Sequence, residues 1–289
     1  AATAQVVAEA LGLTLPHAAL APSGEPVWRD MAVRSGRAIV ALEQSGIRSR
    51  DIISDDAMHN AMVLHAAFGG STNLLLHVPA IAHAAGLRRP VVDDWARINR
   101  QVPRIVDVLP NGPQFHVTVR AFLAGGVPEV MLHLRAMSLL KLDAMTATGR
   151  PLGDNLEWWE GSERRVRFRE ILKEQDGVDA DDVIMGPDAA HAKGMTSTVC
   201  FPTGNLAPEG SVVKATAIAS EMLDEDGIYS QRGPARVFTS EKAAMTAIKT
   251  DQIRAGDVMV LLSIGPMGTG MEEIAQVTIA LKYCEFGKD

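Results

Sequence analysis

Apolar residues recur with a helical period through roughly the first 180 positions, broken by short polar connectors. In AATAQVVAEALGLTLP, Val6, Val7, Ala10 and Leu11 share one face, and Gly12 supplies a stop. Asp30 to Ile47 carries an amphipathic stripe. From Ile53 to Gly70, Ser54 is an N-cap residue, with Met58, Met62 and His65 along one side. A further helix is expected from Thr72 to Ala85, closed by Gly86. The run AFLAGGVPEVMLHLRAM breaks at Gly125-Gly126 and restarts behind Pro128 at a first-turn position. RIVDVLP is the one strand candidate in this part.

The rhythm then changes. From Thr196 onward STVCFP, SVVKATA, ARVFT and DVMVLLSIG read as short strands, rich in Val, Thr and Ile and punctuated by glycine. Two helical runs, SEKAAMTAIK and MEEIAQVTIALKY, interrupt them. The expected architecture is α/β, with a helix-rich front portion at residues 1–185 and a sheet- or barrel-like portion at 186–289.

Composition narrows the function classes. Of 289 residues, 47% are hydrophobic and 22% charged, which suits a packed core. Aromatics make up only 4%, so the core must come from small side chains and close helices. A formal net charge of −7 argues against a nucleic-acid surface and against attraction to anionic membranes. No apolar run has the length of a bilayer span. Two cysteines, Cys200 and Cys284, are too few and too far apart for a disulfide framework or a metal motif, and a reducing, cytoplasmic setting is the expectation. Cys200 reads as a small buried thiol. The helical start without methionine and the charged end at EFGKD suggest a piece of something longer.

Two segments carry candidate chemistry. In FGGSTNLLLH, Gly69 and Gly70 end one helix, and Ser71, Thr72 and Asn73 present hydroxyls and an amide at the start of the next. A helix N-terminus with such donors favours a carboxylate, although an ordinary capped turn has the same pattern. His77 follows one turn later, where a lone histidine on an apolar face is also compatible with core packing. In GPMGTGMEEI a strand, a glycine loop and a helix succeed one another. A phosphate loop would need Lys and Ser or Thr where Glu272 and Glu273 stand. A carboxylate there can ligate a divalent cation or stabilise the helix dipole.

Four segments, GGSTNLLLH, TATGRPLGDNL, GNLAPEGSVVK and GPMGTGMEE, occur in an order and spacing that resemble the dihydroxy-acid and sugar-acid dehydratases. PSGEPVWRDMAVRSGRAI and FTSEKAAMTAIKTDQIRAGD look most like the xylonate-type branch. The resemblance implies a hydro-lyase that converts a 2,3-dihydroxy sugar acid to a 2-keto-3-deoxy acid. It implies an iron–sulfur cluster acting as Lewis acid and Mg²⁺ orienting the substrate, in a homodimer or homotetramer. It also implies an α/β domain in front and a β-barrel-like domain behind. Carried over by motif, Glu273 matches the Mg²⁺ ligand, with Glu272 able to exchange roles with it. Gly69, Gly70, Ser71, Thr72, Asn73 and His77 match residues beside the substrate. The cluster cysteines and the catalytic serine are expected upstream and downstream of these 289 residues, leaving no catalytic residue within them. Dihydroxy-acid dehydration, or carboxylate binding without catalysis, are the alternative readings.

Overall fold

A computed structural model describes residues 2–265 and 275–284. The chain divides into two compact units, residues 1–216 and 217–289. The first is helical throughout its core. α1 (Ala2–Ala10) ends at Gly12, whose φ of 77° is the left-handed stop its position requires. α2 (Pro26–Gln44) starts on a first-turn proline and buries only Met31. After the short α3 (Ser49–Ile52) comes α4 (Asp55–Phe68). The Ser54 hydroxyl accepts the Ala57 N–H at 3.2 Å, and Asp55 and Asp56 complement the positive end of the dipole.

DDAMHNAMVLHAAF is apolar on nearly every side, and a helix of that kind has to be interior. α4 is accordingly the axis of the unit, buried from Ala57 to Phe68 with only His59 partly exposed. α1 packs along it, as do α5 (Leu74–Ala84), α6 (Val92–Gln101) and, beyond the short α7 (Thr118–Leu123), α8 (Gly126–Ala136). α8 begins at Gly126, not after Pro128. Pro128 is its third residue, still in the first turn where a missing N–H costs nothing. α9 (Leu152–Glu160) and α10 (Glu163–Asp176) close this side, followed by α11 (Ala180–Val183) and α12 (Pro187–Ala192).

RIVDVLP does not become a strand. Val106 forms a single antiparallel bridge to Ile184, and Ile105 donates to the Ala67 carbonyl at the end of α4. STVCFP and SVVKATA likewise form a single bridge, where Cys200 and Val213 exchange two 2.9 Å backbone hydrogen bonds. Cys200 itself is exposed, correcting its reading as a buried thiol: Thr198 and Val199 take the interior positions beside it.

Within the second unit, β1 (Ala235–Phe238), α13 (Glu241–Lys249) and β2 (Val258–Leu261) form a parallel crossover unit, Ala235 opposite Val258 and Phe238 opposite Leu261. Ser240 caps α13 through the Ala243 N–H at 3.1 Å. α14 (Ala275–Lys282) packs on α13, burying Val277 with Ala244, Ala247 and Ile248. The described chain is therefore a helix-rich α/β protein whose regular sheet consists of these two strands. No helix among the described residues is long and apolar enough to cross a membrane.

Two buried polar groups organise the turn after α1. The Glu9 carboxylate accepts N–H bonds from His17, Ala18 and Ala19 at 2.7, 3.1 and 2.8 Å. Its burial nevertheless pushes its pKa up to about 7, against those three donors. The His17 ring stacks on Phe122 at 4.1 Å, with Nε2 2.9 Å from the Phe122 carbonyl and Nδ1 accepting from Arg164 Nε at 3.0 Å. Burial holds it neutral, its pKa pushed down to about 3, and His65 in α4 is pushed down to about 4 for the same reason.

These three groups set a pH slope. Both histidines have folded values below the unfolded 6.5, so their contribution is complete above 6.5 and is lost as pH falls toward 4 and 3. Glu9, raised from 4.5, runs the other way and gains as pH falls from 7 to 4.5. Two against one leaves a net loss on the order of 1 kcal/mol per pH unit between pH 6 and 5. Denaturant titrations at these pH values should show it, and Glu9→Gln should roughly double the slope. A slope that Glu9→Gln leaves unchanged would mean that Glu9 is ionised in the folded protein.

Candidate functional site

The segment 69–73 is dictated by the end of α4. A helix leaves its last carbonyls without intrahelical donors, and inside a core water cannot supply them. Gly69, at φ 77° and ψ 55°, turns the chain so that its own N–H reaches the Ala66 carbonyl at 3.3 Å. The Gly70 N–H then reaches the His65 carbonyl at 2.9 Å. This is a Schellman closure, and it needs the left-handed conformation glycine adopts without strain.

Gly70 is glycine for a different reason. A Cβ at this position would collide with the imidazole of His65. The ring is fully buried, meets Trp95 edge-on at 5.1 Å, and places Nε2 2.8 Å from the Ser71 carbonyl. Since burial keeps it neutral, Nε2 carries the proton and donates. The preceding two carbonyls are held as well. Asn111 Nδ2 donates to Gly69 O at 3.0 Å, and Thr198 Oγ1 donates to Gly70 O at 3.3 Å. Three successive carbonyls are thus each bound by a side chain from a different part of the chain. Asn111 is itself anchored, its Oδ1 accepting from Thr216 Oγ1 at 2.7 Å.

Arg104 lies beneath the turn. Its aliphatic carbons and the Thr198 methyl fill the space a Cβ on Gly69 would need, and its Nε donates to the Thr196 carbonyl at 2.7 Å. Burial lowers the guanidinium pKa, with Asp107 nearby working in the opposite sense. The other side of the turn meets α1, where the Ser71 N–H donates to Thr3 Oγ1 at 3.3 Å. Ser71 Oγ in turn accepts from the backbone and the side-chain amide of Asn73, both at 3.3 Å. The turn and the first turn of α1 therefore form one surface, on which Ser71, Thr72 and Asn73 are half-buried.

Of the sequence candidates, the structure brings together Gly69, Gly70, Ser71, Thr72 and Asn73. His77 is exposed, one turn along α5, while Leu74, Val78 and Ala82 form the buried face of that helix. Glu272 and Glu273 lie outside the described residues. Thr3, His65, Asn111 and Thr198 were not candidates for this site. The signal for His65 was its position five residues ahead of a second glycine. The other three are distant in sequence and left none. The TATGRPLGDNL segment acts as a clamp. Asn155 Nδ2 donates to Thr146 Oγ1 at 2.7 Å, Thr148 Oγ1 donates to Asn155 Oδ1 at 2.9 Å, and Ala147 N–H reaches the Gly12 carbonyl at 2.7 Å. This fixes the end of α1 opposite to the turn.

The family model for the dihydroxy-acid/6-phosphogluconate dehydratase N-terminal region matches residues 1–155, and that for the C-terminal region matches residues 183–289. The chain belongs to this dehydratase family. It is 65% identical over 288 residues to the D-xylonate dehydratase YagF and 62% identical to the D-xylonate dehydratase YjhG, both of Escherichia coli strain K12. Each alignment covers 100% of this chain and 44% of the relative. Identity to dihydroxy-acid dehydratase 1 of Nocardia farcinica is 38%, covering 98% of this chain and 45% of that protein. The chain thus spans less than half the length of these relatives.

Among the described residues, no group of three His, Cys, Asp or Glu side chains is placed to hold a metal ion. Cys200 and Cys284 fall in different units. By themselves the described residues do not fit an iron–sulfur cluster, which takes thiolates.

The contact between Gly70 and His65 yields a direct test. Gly70→Ala is expected to cost about 1–3 kcal/mol in denaturant unfolding, the usual range for overpacking. Adding His65→Ala should relieve the collision, making the pair of changes less than additive. Strict additivity would show that the ring does not limit the glycine.

Proposed function

We propose that this chain forms part of a hydro-lyase that removes water from a 2,3-dihydroxy sugar acid of the xylonate type, leaving a 2-keto-3-deoxy acid. Similarity to two D-xylonate dehydratases at 65% and 62%, against 38% for a dihydroxy-acid dehydratase, favours a sugar acid over a branched-chain precursor. The observation that carries the role of this chain is the rigid turn at 69–73. Its carbonyls are tied inward by Asn111, Thr198 and His65, which leaves the polar side chains of Ser71, Thr72 and Asn73 at the start of α5.

In this reading, those side chains and the positive end of α5 orient the carboxylate and hydroxyls of the substrate. Pre-organisation matters because the turn need not reorder when substrate arrives. His77 lies at the rim. The iron–sulfur cluster and Mg²⁺ expected from the resemblance would be held by residues outside those described here, Glu273 among them for Mg²⁺. A β-barrel-like C-terminal domain, a homo-oligomeric assembly and a cytoplasmic setting belong to the same proposal.

With the full-length protein, Ser71→Ala and Thr72→Val should each lower kcat/KM for D-xylonate about tenfold, the loss of roughly one hydrogen bond to a charged group. Unchanged kcat/KM in both would remove the turn from the site. Glu273→Ala should greatly weaken Mg²⁺-dependent turnover, whereas full activity in that variant would refute that ligand. Calorimetry with aldonates separates the remaining alternative, since affinity that ignores Mg²⁺ and is not followed by turnover would favour a binding module.

A further inference from the structure

α2 is a 19-residue helix that uses one narrow face for its own unit. Met31 is buried and Val27 and Leu42 are half-buried along that face. A second apolar face points away, with Ile39 67%, Val33 54% and Val40 51% exposed. At its centre stands Gly36, in the interior of an exposed helix where glycine weakens the helix relative to alanine. Nothing in this chain requires it, because a Cβ there would meet open space.

The residues around Gly36 are arranged symmetrically. Ala32 and Val40 lie four positions to either side, and Val33 and Ile39 lie three. Arg29 and Glu43 lie seven to either side, within ~20° of two full turns, and so share the meridian of Gly36. Both are exposed, and neither has an ion-pair partner among the described residues. When a helix packs antiparallel on a copy of itself about Gly36, position 36+k meets position 36−k. Arg29 then faces Glu43 of the second copy, twice by symmetry, while Ala32 meets Val40 and Val33 meets Ile39. A parallel pairing would oppose Arg29 to Arg29 and Glu43 to Glu43. The opposite charges thus select one occupant and one orientation. We infer that the outward face of α2 is an isologous interface, packed antiparallel against α2 of a second copy of this chain with Gly36 on the two-fold axis.

The test uses the full-length protein and needs no knowledge of its substrate. Gly36→Cys should form a disulfide between two copies on addition of an oxidant, identified by peptide mapping as a 36-to-36 link. Arg37→Cys, off the axis, should not. In sedimentation analysis Arg29→Glu and Glu43→Arg should each weaken self-association at least tenfold. The double variant, which restores both pairs with signs exchanged, should return to within about threefold of wild type, as charge complementarity requires. These side chains are exposed, so circular dichroism should be unchanged in all variants. The inference is overturned by a Gly36→Cys protein that forms no 36-to-36 link, as when another segment or another protein covers the face. It is equally overturned by a charge exchange that fails to restore what the single changes remove.

Discussion

The end of a wholly buried helix imposes the constraint from which the rest of the first unit follows. α4 carries apolar residues round its full circumference, so its final carbonyls emerge where no water can reach them. Each has to find a donor from the protein. Gly69 and Gly70 supply two by folding the chain back, and the Ile105 N–H supplies a third to Ala67. The turn that does this carries buried carbonyls of its own, at Gly69, Gly70 and Ser71, and these recruit Asn111, Thr198 and His65. The segment at 69–73 is rigid because of this sequence of obligations, each donor anchored in a different part of the unit. Side chains presented from such a base are fixed before any ligand arrives, which is the economical way to recognise a small polar molecule.

Buried charge in the same unit follows a parallel logic. Glu129 is buried and is held by Arg165 through two 2.7 Å contacts and by Arg169 at 3.3 Å, with Trp159 Nε1 donating at 3.2 Å. Asp107 is fully buried and accepts the Gln114 and Phe115 N–H groups at 2.9 Å each, which shapes the loop leading from Asn111. A carboxylate surrounded by donors in this way is costly to leave unpaired and therefore specifies the local chain path. Both serve as internal scaffolding.

What could be read from the sequence was whatever is encoded locally. Ser54 with two aspartates, the apolar run behind it and the glycine pair that stops it define α4 and the turn without reference to anything distant. The same holds for β1, α13 and β2, where Val-rich runs flank a helix capped by Ser240. The strand readings of STVCFP and SVVKATA gave way because β-branched residues signal extended chain, while a ladder needs a partner of matching length. Here the two runs share one bridge between Cys200 and Val213. The supporting role of His65 was hidden for another reason. A histidine on the apolar face of a helix reads the same whether or not its ring holds a carbonyl, and only the position of Ser71 decides. Asn111 and Thr198 are 42 and 128 residues from the carbonyls they bind, separations that no local pattern can encode.

α1 has a consequence of its own. Its last turn is fixed by the Glu9 carboxylate and by the clamp at Gly12, while its first turn touches the candidate site through Thr3. A helix of nine residues is about 13 Å long and far stiffer than a loop, so it behaves as a strut between these two places. Displacement of the His17–Ala19 segment would therefore reach Ser71 as rigid-body travel and not dissipate on the way. Substitutions made around Phe122 or Arg164 would be felt at Ser71 by this route.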